Sequence, residues 1–234
     1  MDIFTDIAAR LRELNIAFHY TPELAPETSL HPDELASIAH ASPVRRREFA
    51  TGRACARAAI RALGIAGDIP LPRGPFREPL FPDGIAGSIS HTDGMTCAAA
   101  AFTRDYRAVG IDIQILGRPV SADAVSQILN IDERGWINEP DGILVAFSIK
   151  EAFFKMTRCL TDTPYWFDKV SVRQSDTGGR MICGYKTPAG IFEKTAEFRR
   201  NESYIFSFCT LRADEELTGV NLRPPISPRT SSER

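Results

Sequence analysis

From Leu144 to Lys155 the chain carries a helical apolar stripe with a charge set inside it. Any fold that buries this stripe must also accommodate the charge. At about 100° per residue, Leu144, Phe147 and Phe154 fall on one side of a helix, and Glu151 projects from among them. Lys155 follows one turn later, at i+4. An isolated carboxylate is costly to bury and is normally paired with a cation or bound to a metal. A plain Glu–Lys helix pair satisfies this pattern, and so does a functional site. The rest of the chain has to decide between them.

A chain of 234 residues with 43% apolar and 25% charged side chains has the composition of a globular protein with a sizeable core. Its net charge of −2 gives no reason to expect nucleic acid or an anionic membrane as partner. Arginine outnumbers lysine 23 to 5. Genomic base composition produces such a bias, and so does a need for bidentate phosphate contacts, so position must give it meaning. Cys55, Cys97, Cys159, Cys183 and Cys209 are odd in number and widely spaced, as expected of reduced thiols in a cytoplasmic protein. No apolar run approaches the roughly 18 residues of a membrane span, and no signal-peptide pattern opens the chain.

Residues 3–14 read as an amphipathic helix and Ile16–Tyr20 as a strand. Ser42-Pro43 opens a strong helix that Gly64 ends. On that helix Phe49, Ala56, Ile60 and Leu63 define the core side, and Arg46, Arg57 and Arg61 are expected in solvent. Arg45 and Arg53 flank the core stripe and need a partner: Glu78 or a ligand phosphate. Arg73–Gly84 is a Pro/Gly-rich loop. Ile85–His91 and Met95–Phe102 read as strands around Thr92-Asp93-Gly94. In a third strand, Tyr106–Ile115, the residues Val109, Ile111, Ile113 and Ile115 share one face while Gly110, Asp112 and Gln114 share the other. Residues 116–142 are irregular, with helical potential near Ser121–Leu129. After the Glu151 helix comes a meander, Lys169–Arg173, Met181–Thr187, Ile191–Phe198 and Tyr204–Leu211, with turns at Asp176–Gly179, Pro188–Gly190 and Arg199–Glu202. The tail 221–234 is expected to be disordered.

If Asp112 and Glu151 converge, they offer hard oxygen ligands beside a lysine. Among the four histidines there is no zinc spacing, and Mg²⁺ is typically held by one or two carboxylates with substrate phosphates completing its shell. His91, at a strand end before a turn, stands out; His19, His31 and His40 read as structural. Nucleotide-binding and hydrolase signatures are absent.

Three segments then occur in order: Gly87-Ser88-Ile89-Ser90-His91, Val109-Gly110-Ile111-Asp112-Ile113, and Phe147-Ser148-Ile149-Lys150-Glu151-Ala152-Phe153-Phe154-Lys155. With Arg45-Arg46-Arg47-Glu48-Phe49, Gly52-Arg53 and Arg77-Glu78-Pro79-Leu80-Phe81-Pro82-Asp83-Gly84, they resemble the Sfp-type 4′-phosphopantetheinyl transferases, especially the branch of the enterobactin-synthase component D proteins. Phe81 stands where that family usually has Trp, and Gln114 where it usually has Glu.

The resemblance implies an α+β fold of two similar subdomains related by a pseudo-twofold, here 1–108 and 109–220, with antiparallel strands, packed helices and coenzyme A in the cleft between them. It implies an enzyme that moves the phosphopantetheine arm of coenzyme A onto a serine of an apo carrier protein and releases adenosine 3′,5′-bisphosphate. Asp112 and Glu151, with Gln114 as a weaker ligand, would bind Mg²⁺ or Mn²⁺; Glu151 would be the base; Lys150 and Lys155 would hold the diphosphate. Arg45, Arg53 and His91 would bind the 3′-phosphate, with Ser90 and the Gly74–Pro79 loop, Arg77 included, near the adenosine. A cytoplasmic monomer serving siderophore, nonribosomal peptide or polyketide synthesis is expected, with neither nucleic acid nor membrane as partner. Ile115, Leu116, Arg118 and Trp136 form the candidate carrier-docking surface. Two other readings stay open: a different Mg²⁺-dependent nucleotide phosphoryl-transfer enzyme, and a non-catalytic coenzyme A binder.

Overall fold

The computed structural model describes residues 2–158, 160, 167–187 and 190–216; Cys159, Pro188 and the 221–234 tail lie outside them. The described part is α+β. The chain runs α1 (Ile3–Glu13), β1 (Ala17–Thr21), α2 (Pro32–Leu35), α3 (Pro43–Ala62), β2 (Ile85–Thr92), β3 (Met95–Phe102), β4 (Tyr106–Ile115), α4 (Ala122–Ile128), α5 (Pro140–Arg158), β5 (Val170–Gln174), β6 (Arg180–Thr187), β7 (Gly190–Arg200) and β8 (Tyr204–Arg212). Two antiparallel sheets result, ordered β1-β3-β2 and β4-β8-β7-β6-β5. What the two halves share is a long helix on an antiparallel sheet; the sheets differ in strand number.

Strand alternation assigns the faces. Val109, Ile111 and Ile113 of β4 join Phe206 and Phe208 of β8, Cys97 and Ala99 of β3, and Ile7 and Leu11 of α1 in one core. Helix α3 covers the other face of the small sheet through Ala56, Ala59 and Ile60 against Ala98 and Ala100. Helix α5 covers the other face of the large sheet through Ala146, Ile149, Ala152, Phe153 and Met156. The two long helices therefore lie on the same side of the strands, and the space between them is the cleft.

Edge strand β4 is tied to β2 by side chains. Its outward N–H groups at Ile111 and Ile113 donate to the hydroxyls of Ser88 (3.1 Å) and Ser90 (3.2 Å), which satisfies donors that an edge would otherwise leave open. On the α5 side, Gly110 admits the helix backbone: a Cβ there would stand 1.9 Å from the Ala152 carbonyl oxygen and 2.5 Å from the Met156 nitrogen.

Helix α3 starts as its sequence requires, with the Ser42 hydroxyl accepting from the Arg45 N–H at 3.3 Å and Pro43 in the first turn. Arg57 departs from expectation. It is 5% exposed, not solvated, and pairs at 2.6 Å with Glu34, which is itself fully buried at the α2 turn. Its partner lies on a four-residue helix that periodicity does not reveal. The last turn of the meander also differs, since β7 runs on through Arg200.

Gly110→Ala is expected to cost at least the ~1–3 kcal/mol typical of overpacking, because backbone rather than a flexible side chain must yield. Urea unfolding measures this, and a midpoint equal to wild type would contradict the close approach.

Candidate functional site

Asp112 faces α5, not solvent, and is 2% exposed. Helix α5 lies over this face of β4. The Asp112 Oδ1 accepts from the Ser90 hydroxyl (2.9 Å) and from Lys155 Nζ (2.8 Å), and its Oδ2 accepts from Gln114 Nε2 (2.8 Å). Lys155 Nζ also donates to Ser90 Oγ (3.0 Å) and lies 3.8 Å from Glu151 Oε2. One ammonium thus sits between two carboxylates. Burial works against its charge, but Asp112 and Glu151 more than offset that and hold the Lys155 pKa above its ordinary value. Burial pushes the Glu151 carboxyl up; Lys155 draws it back and Asp112 raises it further.

These residues form one end of a cavity of about 430 Å³ between α3 and α5. Phe147, Glu151, Phe154 and Lys155 line its α5 side. The apolar stripe read around Glu151 is therefore partly cleft wall, and the core face of α5 is the Ala146–Ile149–Phe153–Met156 side. The same cavity is lined by Arg45 and Arg53 of α3, by Arg77 and Pro79 of the loop before β2, and by Ser90 and His91 of β2. Arg45 Nη1 lies 2.9 Å from His91 Nε2. A guanidinium can only donate, so Nε2 accepts and the ring proton sits on Nδ1; burial and Arg45 both lower the His91 pKa and favour this neutral form. Arg53 donates its Nε to the Leu71 carbonyl (2.7 Å) and lies over the Phe49 ring at 4.0 Å, but its buried Nη2 has no hydrogen-bond partner. Burial lowers its pKa to about 10, with Arg57, Arg73 and Arg45 adding to that fall and Glu34 opposing it. Glu78 does not pair with it; its Oε2 accepts from the Phe76 N–H at 2.8 Å instead. Arg45 Nη1 also pairs with Glu48, which lines the cavity too, at 3.0 Å, so the cavity sets an acidic end against a wall of arginines in which Arg53 Nη2 is left without a partner.

The sequence comparisons bear on a cleft of this kind. The profile of the 4′-phosphopantetheinyl transferase N-terminal domain matches residues 33–101, and that of the 4′-phosphopantetheinyl transferase superfamily matches 108–209. The chain is 34% identical over 173 residues (71% of its length, 70% of the relative) to the 4′-phosphopantetheinyl transferase Svp of Streptomyces mobaraensis. It belongs to the 4′-phosphopantetheinyl transferases. The transferase is also 30% identical over 155 residues (64% and 68%) to Npt of Nocardia iowensis, and 35% identical over 131 residues (53% and 52%) to enterobactin synthase component D of Salmonella typhimurium. Proteins of this family act on carrier proteins with coenzyme A as substrate.

The structure takes two expected site residues out of the cleft. Lys150 follows the helix about 100° round from Glu151 and is fully buried on the other side. Its Nζ donates to Glu133 (2.6 Å), the Ile128 carbonyl (2.7 Å) and the Phe167 carbonyl (3.1 Å). Burial lowers its pKa and the Glu133 contact opposes that. Glu133 also accepts from Val172 N–H at 2.6 Å, so Lys150 anchors α5 to β5 and to the turn before α5. Gly74 is not on the cavity wall; its missing Cβ makes room for the Glu78 carboxyl, which such an atom would meet at 2.5 Å. Trp136, 43% exposed, is no core residue, whereas Leu116 is buried and cannot dock a partner. Arg158, which lines the cavity one turn beyond Lys155, was not anticipated; its i+7 spacing from Glu151 was the available signal.

No three His, Cys, Asp or Glu side chains among the described residues form a ready-made metal cage. Two carboxylates, Asp112 and Glu151, with the Gln114 amide oxygen, are a hard-oxygen set that suits Mg²⁺ only when substrate phosphates complete the shell. No described helix is long and apolar enough to cross a membrane.

Two outcomes follow. Lys150→Met strands the buried Glu133 and is expected to cost about 3–5 kcal/mol in urea unfolding; a change under about 1 kcal/mol would contradict the anchoring role. Glu151, with its pKa raised on folding, binds its proton more tightly in the folded state. Stability of the metal-free protein therefore falls as pH rises from the unfolded carboxylate value through the raised one. Glu151→Gln removes that loss and should melt at or above the wild-type temperature at neutral pH; a lower melting temperature would contradict the shift.

Proposed function

We propose that this transferase moves the 4′-phosphopantetheine arm of coenzyme A onto a serine hydroxyl of an apo carrier protein, releasing adenosine 3′,5′-bisphosphate in an Mg²⁺-dependent step. The supporting observation is the convergence of Asp112, Glu151 and Lys155 at one end of a cavity whose opposite wall holds Arg45, Arg53 and His91. A diphosphate at the first end and a 3′-phosphate at the second match the two charge patterns. On this reading residues 1–108 supply the 3′-phosphate side and 109–220 the metal side.

Asp112, Glu151 and Gln114 would hold the ion, which when bound supplies Lewis-acid polarisation of the diphosphate and a template for it. The carrier serine oxygen attacks the phosphorus that bears the pantetheine arm, and the bond from that phosphorus to the bridging oxygen breaks. The bridging oxygen leaves with the adenosine 3′,5′-bisphosphate. Glu151, directly or through water, takes the serine proton. Lys155 offsets the charge gathering on the leaving phosphate. Arg45 and the unpartnered Nη2 of Arg53 fix the 3′-phosphate, and His91 orients Arg45. The likeness to enterobactin synthase component D favours a carrier of siderophore or nonribosomal peptide assembly, and the exposed Ile131 and Trp136 offer an apolar surface for it.

Incubation with coenzyme A, Mg²⁺ and apo peptidyl, aryl or acyl carrier proteins, followed by mass spectrometry of the carrier, tests the reading. The expected result is a phosphopantetheine mass increase in wild type and a rate lower by about 10²–10⁴-fold in Glu151→Gln, with coenzyme A binding measured without metal kept. No increase on any carrier would overturn it. Gln114→Glu, which replaces an amide oxygen by a carboxylate, is expected to lower the Mg²⁺ concentration for half-maximal transfer; an unchanged midpoint would exclude ligation at this position.

A further inference from the structure

We infer that Arg158 is an additional anion-binding residue of the cleft, contacting a phosphate oxygen of the coenzyme from the end of α5, and that Phe76 positions it. This rests on the coenzyme A reading above. Arg158 lies at i+7 from Glu151 and i+3 from Lys155, so the three share one helix face, and all three line the cavity. Its guanidinium carbon stands 3.8 Å from the centroid of the Phe76 ring. Phe76 comes from the loop between Arg73 and Pro79, where Arg77 adopts a φ of 72°, so the contact joins that loop to α5.

Stacking occupies the face of a guanidinium and leaves its N–H edge available for in-plane hydrogen bonds. In Arg158 one edge nitrogen, Nη1, is buried and has no hydrogen-bond partner. Leaving a buried charged donor unmade costs more than leaving a neutral one, and arginine cannot relieve the cost by losing a proton. The same deficit marks Arg53 Nη2 on the facing wall. Arg53 of α3 and Arg158 of α5 both line the cavity, and each has one guanidinium donor without a partner, which matches a ligand that carries separate anionic groups. The Arg158 partner is then a diphosphate oxygen or a 3′-phosphate oxygen.

Calorimetric titration of the full-length protein with coenzyme A and with dephospho-coenzyme A, without carrier protein, separates these cases. Arg158→Gln is expected to weaken coenzyme A binding by about tenfold or more, the effect of losing one charge-assisted hydrogen bond. If the contact is to the 3′-phosphate, dephospho-coenzyme A binding stays unchanged by the substitution; if it is to the diphosphate, both ligands weaken alike. Phe76→Leu, at a side chain 42% exposed and therefore tolerant of change, keeps the charge but removes the ring. It should weaken coenzyme A about two- to fivefold, which keeps the proposal testable if Arg158→Gln does not fold. Unchanged coenzyme A affinity in either variant, with or without a lower melting temperature, would overturn the proposal and make the contact a structural latch. Failure of wild type to bind coenzyme A would instead overturn the reading beneath it.

Discussion

The backbone-to-backbone approach of α5 to β4 at Gly110 sets the geometry of the cleft. With no side chain at that position, the Ala152 carbonyl can sit where a Cβ would be. Asp112 is two residues on along the strand, on the same face, and Glu151 and Lys155 flank Ala152 on the helix. One close contact thus sets three ionisable groups against one another. The Ser88 and Ser90 hydroxyls, by accepting from the outward N–H groups of β4, bring the small sheet and its helix α3 up to the same place. Ser90 serves twice, since its own proton goes to Asp112.

The charges then follow a consistent logic. Lys155 lies where a cation is needed between two carboxylates, and a raised Glu151 pKa marks what its burial costs. Opposite, burial depresses the Arg53 pKa and the neighbouring Arg57, Arg73 and Arg45 lower it further against the pull of Glu34, while Arg45 pairs with Glu48. Two charged ends of opposite deficit, held apart by the α3–α5 spacing, suit a substrate carrying a metal-bound diphosphate and a separate phosphate. Ion pairs that carry no such deficit, Arg57–Glu34 and Lys150–Glu133, are fully matched and buried elsewhere, where they hold α3 and α5 in place.

Much of this was legible in the sequence, for identifiable reasons. The alternation of Val109, Ile111 and Ile113 placed β4 and the face of Asp112, and Ser42-Pro43 marked the start of α3. Glu151 inside an apolar stripe pointed to the cleft because Phe147 and Phe154 line it too. What stayed hidden depended on distant partners. Arg57 looks like a surface charge until Glu34, 23 positions away, is brought beside it. Lys150 is next to Glu151 in sequence, yet helical rotation turns it to Glu133. Neither the covering of Asp112 by α5 nor the stacking of Arg158 on Phe76 is encoded within one element, so periodicity is silent on both.

On the proposed reading, Asp112 and Glu151, brought together by the Gly110 contact, form one divalent-cation site completed by the coenzyme. Water-proton relaxation with Mn²⁺ as the probe tests it most directly. Weak Mn²⁺ binding to the protein alone is expected, with much tighter binding once coenzyme A is added and loss of that gain in both Asp112→Asn and Glu151→Gln. Equal Mn²⁺ binding with and without coenzyme A, or a gain that survives both substitutions, would contradict it.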